Sequence, residues 1–453
     1  MERTSERWQV LEYFEANKEE LRARINAGIE ANRKGSATIT VKDKDGNVIP
    51  GARVKAVQKN HEFRFGANIF MLDELETDEK NARYKEVFKD TFNMATLPFY
   101  WDATEPKKGE QRYDRDSKKI YRRPAIDLCM EFCEENGIEP REHGLAYDMF
   151  FPTWLHGADS FTTKKELIRR YKEISERYAD KIPTIEVTNE MAHVAGRTEF
   201  YEDPDYVTWC FKLAEKYFPQ NKLVINEGTT AAWRDKCRSS DKYYSYIESA
   251  MLKGARIDAI GLQFHVFHKR ENEIAKIRHT DYNPERLYRQ MDLYTNLTNA
   301  LQITEVTIPA YSNDEEDEAI QAELLSYLYP IWFSHPAVEQ IIYWNLVDGY
   351  AHVWSDDLEA IRASQGNMTL GENVYYGGLL RFDLSEKPAL KVIRDLIKKE
   401  WHTEAERVTN ENGSCTFRGF YGDYDVEIAT ENGTVTRTVK ISSAAKNTFT
   451  VTL

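Results

Sequence analysis

The sequence predicts an α/β protein: a (β/α)8 barrel of the TIM type, with an accessory β-sandwich built from both chain ends. Three observations carry this. From about 62 to 400, short apolar runs alternate with charged amphipathic segments, the rhythm of strand, turn and helix. No glycine-rich phosphate loop follows any of those runs, which disfavours a doubly wound open sheet. The two ends instead alternate residue by residue around Asp-Gly, Pro-Gly and Asn-Gly turns.

The eight apolar runs are 63–69, 92–98, 139–146, 183–189, 222–226, 257–264, 300–305 and 339–346. Segments such as "KKELIRRYKEISERYA" (164–179) lie between them with helical spacing. At the front, 36–58 reads as two strands; at the back, "CTFRGF", "YDVEIA", "TVTRTVKI" and "NTFTVTL" read as strands within 405–453. Neither piece can bury a face alone, so the simplest solution pairs them. Their motifs, "VKDKDGNVIPGARV" and "TNENGSCTFRGFYGDYDVEI", resemble a prealbumin-like sandwich. The chain then divides into an N-terminal helix (1–35), the first part of the sandwich (36–61), the barrel (62–400) and the second part of the sandwich (401–453).

Composition narrows the function. The 453 residues exceed one ordinary domain, and 41% hydrophobic content suffices for a large core. A net charge of -14 with no offsetting basic run argues against nucleic-acid and anionic-membrane partners. The start carries neither a signal-like apolar core nor a membrane span. The five cysteines (129, 133, 210, 237 and 415) show no zinc or redox spacing, and Cys129 and Cys133, four apart on one expected helix, are placed to face the core. Free thiols and the absence of a leader predict a cytoplasmic location, or a secreted one if a leader has been removed. An aromatic content of 12% suits sugar-stacking platforms as well as a core.

Chemistry is concentrated at two strand tips. In "TIEVTNEMAH" (184–193) the apolar alternation of Ile185 and Val187 ends in Asn189 and Glu190; in "LQITEVTIP" (301–309) Leu301 and Ile303 lead to Glu305. Barrel enzymes keep their reactive groups at such tips. Two carboxyl groups flanking one bond are what glycoside cleavage needs, one protonated to assist the leaving oxygen and one ionised to attack the anomeric carbon.

Here the chain resembles glycoside hydrolase family 10, the xylanase family, through most of 62–400. The resemblance is carried by "FGANIF" (65–70), "WDATEP" (101–106), "EHGLAYDMFFPTWL" (142–155), "VTNE" (187–190), "GLQFH" (261–265), "ITE" (303–305), "YWNLVDGYAHVW" (343–354), "GGLLRFD" (377–383) and "KPAL" (387–390), in the family's order. It implies Glu190 as acid/base, Glu305 as nucleophile, and Asn189 at the 2-hydroxyl of the sugar being cleaved. It implies His265 bonded to Glu305 with Gln263 beside it, His143 against the same sugar, and Trp344 and Trp354 as floor and wall. Trp101, Tyr147 and Asp148 are carried over as further substrate-binding positions. The implied substrate is a β-linked glycan, a xylo-oligosaccharide or another β-glycoside.

Departures from the family bear on substrate. Where it places Glu, Asn and Lys before the second-strand tryptophan, this chain has Thr96, Leu97 and Tyr100; its Trp-His-Ser-Gln becomes Tyr147, Asp148, Met149 and Phe150. The polar clamp on the next sugar is thus largely replaced, and preference for ordinary xylan should fall with it. A long segment between Trp354 and Gly377 is expected to help close the site, and the stretch after the sixth strand, 265–284, to line the leaving-group side. No metal is expected, since no paired ligand pattern such as HExxH occurs, and no cofactor is implied. The alternatives are a β-glycosidase acting on short non-xylan glycosides and a sugar-binding barrel without activity. The presence of both Glu190 and Glu305 disfavours the second.

Overall fold

The computed structural model describes residues 3–193, 195–234, 236–355, 358–430 and 433–453. Two strands, β1 (Lys34–Lys42) and β2 (Arg53–His61), precede the barrel. The barrel strands are β3 (Arg64–Asn68), β4 (Met94–Pro98), β5 (Glu139–His143), β6 (Thr184–Asn189), β7 (Lys222–Glu227), β8 (Ala259–His265), β9 (Leu301–Thr307) and β10 (Val338–Tyr343). They are parallel and consecutive, and β10 closes on β3. Each lies on one of the apolar runs. The third is shorter than its run: beyond His143 only a single bridge, Ala146 to Thr188, continues the pairing.

These strands are covered on both faces, so polar residues inside them must find partners within the barrel. Every residue of β6 and β9 is buried. Gln302 Nε2 donates to Glu339 (2.7 Å), and Gln340 Nε2 donates to Gln302 Oε1 (3.0 Å). The helices follow from periodicity and caps. In Ser160–Tyr178, Asp159 caps the start by accepting from Thr162 N (2.6 Å), and Leu167, Tyr171, Ile174 and Tyr178 bury one face.

The N-terminal segment is not the single helix expected over 1–35. A 3-10 turn (Glu6–Leu11) and a short helix (Glu12–Ala16) lead to a break at Asn17, and a second helix runs from Lys18 to Arg33. Arg7 anchors it. Its buried guanidinium pairs with Glu273 (2.8 Å) and Asp317 (3.2 Å) and donates to the Pro309 and Ala310 carbonyls. Removing one partner of so buried a pair typically costs about 3–5 kcal/mol.

After the barrel come β11 (Glu404–Val408), β12 (Ser414–Phe420), β13 (Gly422–Thr430), β14 (Gly433–Ile441) and β15 (Thr448–Thr452). The first of these has no counterpart among the strands read from sequence. The end strands form two sheets, ordered β12-β1-β15 and β11-β2-β13-β14. The front pair is therefore divided: β1 lies between two strands from the back of the chain, and β2 between two others. Ile39, Val41, Val54, Phe417, Tyr424, Val426 and Ile428 fill the space between the sheets. The position Asn432, half of an anticipated turn, lies outside the described residues. No helix among the described residues is long and apolar enough to cross a membrane.

Candidate active site

The ends of β5, β6, β8, β9 and β10 meet in a cavity of about 400 Å³. Nine of the eleven residues singled out in the sequence line it: His143, Tyr147, Asn189, Glu190, Gln263, His265, Glu305, Trp344 and Trp354. Glu190 follows β6 with its backbone in the left-handed region (φ 54°), uncommon for any residue but glycine. Its two carboxylate oxygens accept from Tyr147 Oη (2.6 Å) and Gln263 Nε2 (3.1 Å). Gln263 stands opposite Glu305 across β8 and β9, and it also donates to Asn189 Oδ1 (3.1 Å), so it braces the Asn189–Glu190 tip.

Glu305 lies within β9 and is buried. It is held by Asn226 Nδ2 (3.0 Å) and His265 Nε2 (3.1 Å). Burial keeps the His265 pKa down at about 4, so its imidazole is neutral at ordinary pH. A carboxylate only accepts, so Nε2 carries the proton and Nδ1 faces the Thr307 hydroxyl at 2.9 Å. Asn226 is aimed by Thr304 Oγ1, which donates to its Oδ1 (2.7 Å). Its side chain needs the neighbouring strand to be bare: a Cβ on Gly261 would stand 2.5 Å from Asn226 Oδ1. Burial pushes the Glu305 carboxyl well above its ordinary range; Glu186 and Glu190 add to the push and His143 opposes it.

Below these groups is a dry set of charges. His143 Nδ1 meets Glu186 at 2.7 Å, Arg141 pairs with the other Glu186 oxygen at 2.5 Å, and all three are buried. Burial alone would lower the His143 pKa, yet Glu186 leaves it raised; burial alone would raise Glu186, yet His143 and Arg141 leave it lowered. The other ring nitrogen of His143 shares a hydrogen bond with Tyr100 Oη (3.0 Å). Both polar ends of His143 are thus engaged, and its ring presents an edge to the cavity. Trp344 packs edge-to-face against Phe70 and His143 beneath the cavity, whereas Trp354 is 63% exposed at the rim.

Two expectations are corrected. Trp101 is buried away from the cavity: its Nε1 donates to Glu105 (2.9 Å), and its ring packs on Phe151 and Trp154. Asp148 is also buried and lies outside the lining of this cavity; it accepts from the backbone N–H groups of Gly196 (2.6 Å) and Arg197 (3.1 Å), pinning the loop after β6. Both occupy motif positions, but the local turn sends their side chains into packing.

The structure adds residues the sequence reading passed over. Asn226 ends an apolar run with an amide, the same signal that exposed Asn189. Glu372 comes from the long segment after β10, where residues 358–363 form a helix and 371–375 a 3-10 turn; residues 356–357 lie outside the described residues. It accepts from Asn345 Nδ2 (2.9 Å), and Asn345 in turn accepts from Arg122 Nη2 (2.8 Å). Burial raises the Glu372 pKa. Phe267 and His268, from the stretch after β8, line the cavity opposite. Among the described residues, donor atoms of His143, Glu186 and Glu305 lie within 4.8 Å of one another, close enough for one ion. Their atoms are already spent on each other, on Asn226 and on His265.

Residues 54–392 match the model of glycosyl hydrolase family 10. The chain belongs to that family. It is 26% identical over 410 residues to the anti-sigma-I factor RsgI6 of Acetivibrio thermocellus, covering 89% of this chain and 46% of that protein. It is 25% identical over 370 residues to endo-1,4-beta-xylanase 3 of Arabidopsis thaliana, covering 80% and 42%. The chain thus spans less than half the length of either relative. In fold it is similar to native xylanase 10B from Thermotoga maritima, with a TM-score of 0.58 at 21% identity over 75% of this chain and 96% of that one. Xylanase 10B from Thermotoga petrophila in complex with xylobiose gives a TM-score of 0.57 at 20% identity, over 75% and 95%.

Proposed function

We propose that this glycoside hydrolase cleaves β-linked oligosaccharides with retention of configuration, in the manner of an endo-1,4-β-xylanase, by double displacement. The observation that carries the reading is that Glu190 and Glu305 face one cavity from the tips of β6 and β9, each held by its own donors. Glu305 attacks the anomeric carbon while Glu190 gives a proton to the leaving oxygen. Water, activated by Glu190, then cleaves the glycosyl ester on Glu305. Asn226 and His265 favour the ionised form of Glu305 against its burial, and two hydrogen bonds leave its carboxylate one rotameric position. Retention calls for a separation of about 5–5.5 Å between the two carboxyl groups.

The polar clamp expected of a xylan-binding subsite is replaced here by Tyr100, Phe150 and a guanidinium, that of Arg123, 4.0 Å from the Tyr100 ring centre. This supports short or substituted glycosides over plain polymer. The test follows aryl β-xylosides and β-xylobiosides by NMR, with the first-formed anomer read before mutarotation. Retained configuration, lost in Glu305→Gln, is the expected outcome; inverted product, or full activity in Glu305→Gln, removes the mechanism.

A further inference from the structure

Beside the catalytic cavity lies a second hollow of about 610 Å³, and the two share Arg122, Arg123, Met149, Phe150, His352 and Trp354. Its own walls add Arg197, Tyr121, His156 and Asp102. In a chain of net charge -14, three arginines converging on one hollow are an anomaly. Arg122 spends one N–H on the Asn345 amide and Arg123 one on the Arg122 carbonyl. Among the described residues none of the three forms an ion pair with a carboxylate, and the Nε atoms of Arg122 and Arg197 are buried without any hydrogen-bond partner. Buried guanidinium donors left unsatisfied are costly, and a ligand that accepts from them recovers that cost.

We propose that this hollow is an anion-selective subsite that receives the carboxylate of a uronic acid carried by the oligosaccharide being cleaved, with Arg122, Arg123 and Arg197 as its donors. The inference rests on the hydrolase reading above and names its substrate class. The fork of a guanidinium matches a carboxylate in geometry, and Arg123 is pre-aimed because it is stacked on Tyr100 and flanked by Phe70 and Phe150. A single negative charge fits better than a double one. Asp102 and Glu372 stand near the arginines and oppose a dianion, while burial keeps the Asp102 pKa up at about 6. The rings of Tyr121 and Trp354 supply apolar wall for a pyranose, which a free inorganic anion would not use. The arginines also act on their surroundings: burial, with Arg122 and Arg123 adding to it, holds His352 down at about 3, so the hollow's charge does not depend on that imidazole.

The experiment compares kcat/KM of the full chain on a xylo-oligosaccharide bearing one glucuronic acid branch, on its neutral parent and on a sulfated counterpart. Wild type should prefer the uronate at least tenfold over the neutral parent, and added salt should shrink that preference. Arg197→Gln and Arg123→Gln should each lower the uronate-to-neutral ratio about tenfold. Arg197 is half-exposed and lines only the hollow, so Arg197→Gln keeps the test alive if Arg123→Gln fails to fold. A wild-type ratio near one, or a ratio unmoved by Arg197→Gln, overturns the proposal, and so does a preference confined to the sulfated compound. Calorimetric binding of the same three compounds to Glu305→Gln separates the two readings. If nothing is hydrolysed but the uronate alone binds tightly, the hydrolase reading fails and the subsite stands; if hydrolysis proceeds and binding ignores the carboxylate, the subsite fails alone.

Discussion

The two arms of the cleft are built from different materials. Around Glu190 and Glu305 each carboxylate oxygen has an assigned donor: Tyr147, Gln263, Asn226 and His265. Across Tyr100 and Phe150 the wall turns aromatic and cationic, and two of its donors, the Nε atoms of Arg122 and Arg197, stand unassigned. On the proposed reading, the reaction is set by groups that satisfy one another, and the substrate by groups that await a partner. A site complete without ligand can change little without losing its chemistry; the other arm can be rebuilt.

The strongest way to break the contrast is Glu305→Gln, which should cut turnover of activated aryl glycosides at least about 10⁴-fold. A residual rate within tenfold of wild type would take the nucleophile out of that arm. Next, Glu190→Ala should slow poor leaving groups about 10²–10⁴-fold and good ones far less, since only the former need the proton. Equal losses on both would count against the acid/base role. Tyr147→Phe should lower kcat/KM on poor leaving groups about tenfold, the worth of one hydrogen bond to a charged group.

The pH profile sharpens the comparison further. The nucleophile must be ionised, and burial with its acidic neighbours raises Glu305 above its ordinary value of 4.5. Activity should therefore fall on acidification with a midpoint above that value. Asn226 donates to the ionised form, so Asn226→Ala should move the limb to still higher pH; a limb at or below 4.5, or a downward shift in the variant, contradicts this. The smallest effect belongs to the sandwich. Tyr424→Phe loses a buried hydroxyl bonded to the Phe420 carbonyl at 2.6 Å, so denaturant unfolding should show about 1 kcal/mol of destabilisation with glycosidase activity retained.

What the sequence disclosed follows from how each feature is encoded. Barrel strands are short apolar runs, so all eight were legible, and Glu190 and Glu305 stood out as acids ending such runs. Trp101 and Asp148 were misplaced because motif position says nothing about which way a loop residue turns. The hollow's arginines were invisible for another reason. Arg122 and Arg123 sit in the long stretch between β4 and β5, and Arg197 in the loop after β6, where no period links them; only folding brings them together. The sequence reading placed Tyr100 and Phe150 at the positions of the family's polar clamp, but not the guanidinium of Arg123 that packs on Tyr100.

The division of the front strands between two sheets carries a consequence for how the chain assembles. Ile39 of β1 faces Cys415 of β12 and Phe449 of β15, partners made only after the entire barrel has been synthesised. At about 5–20 residues per second on the ribosome, β1 and β2 wait on the order of 20–75 s with their apolar faces and edges unpaired. The barrel between them can fold in that interval and bring the two ends of the sandwich within reach. Closure of the sandwich is thus held back until the final strand, β15, has been made, a clasp whose second half is the end of the chain.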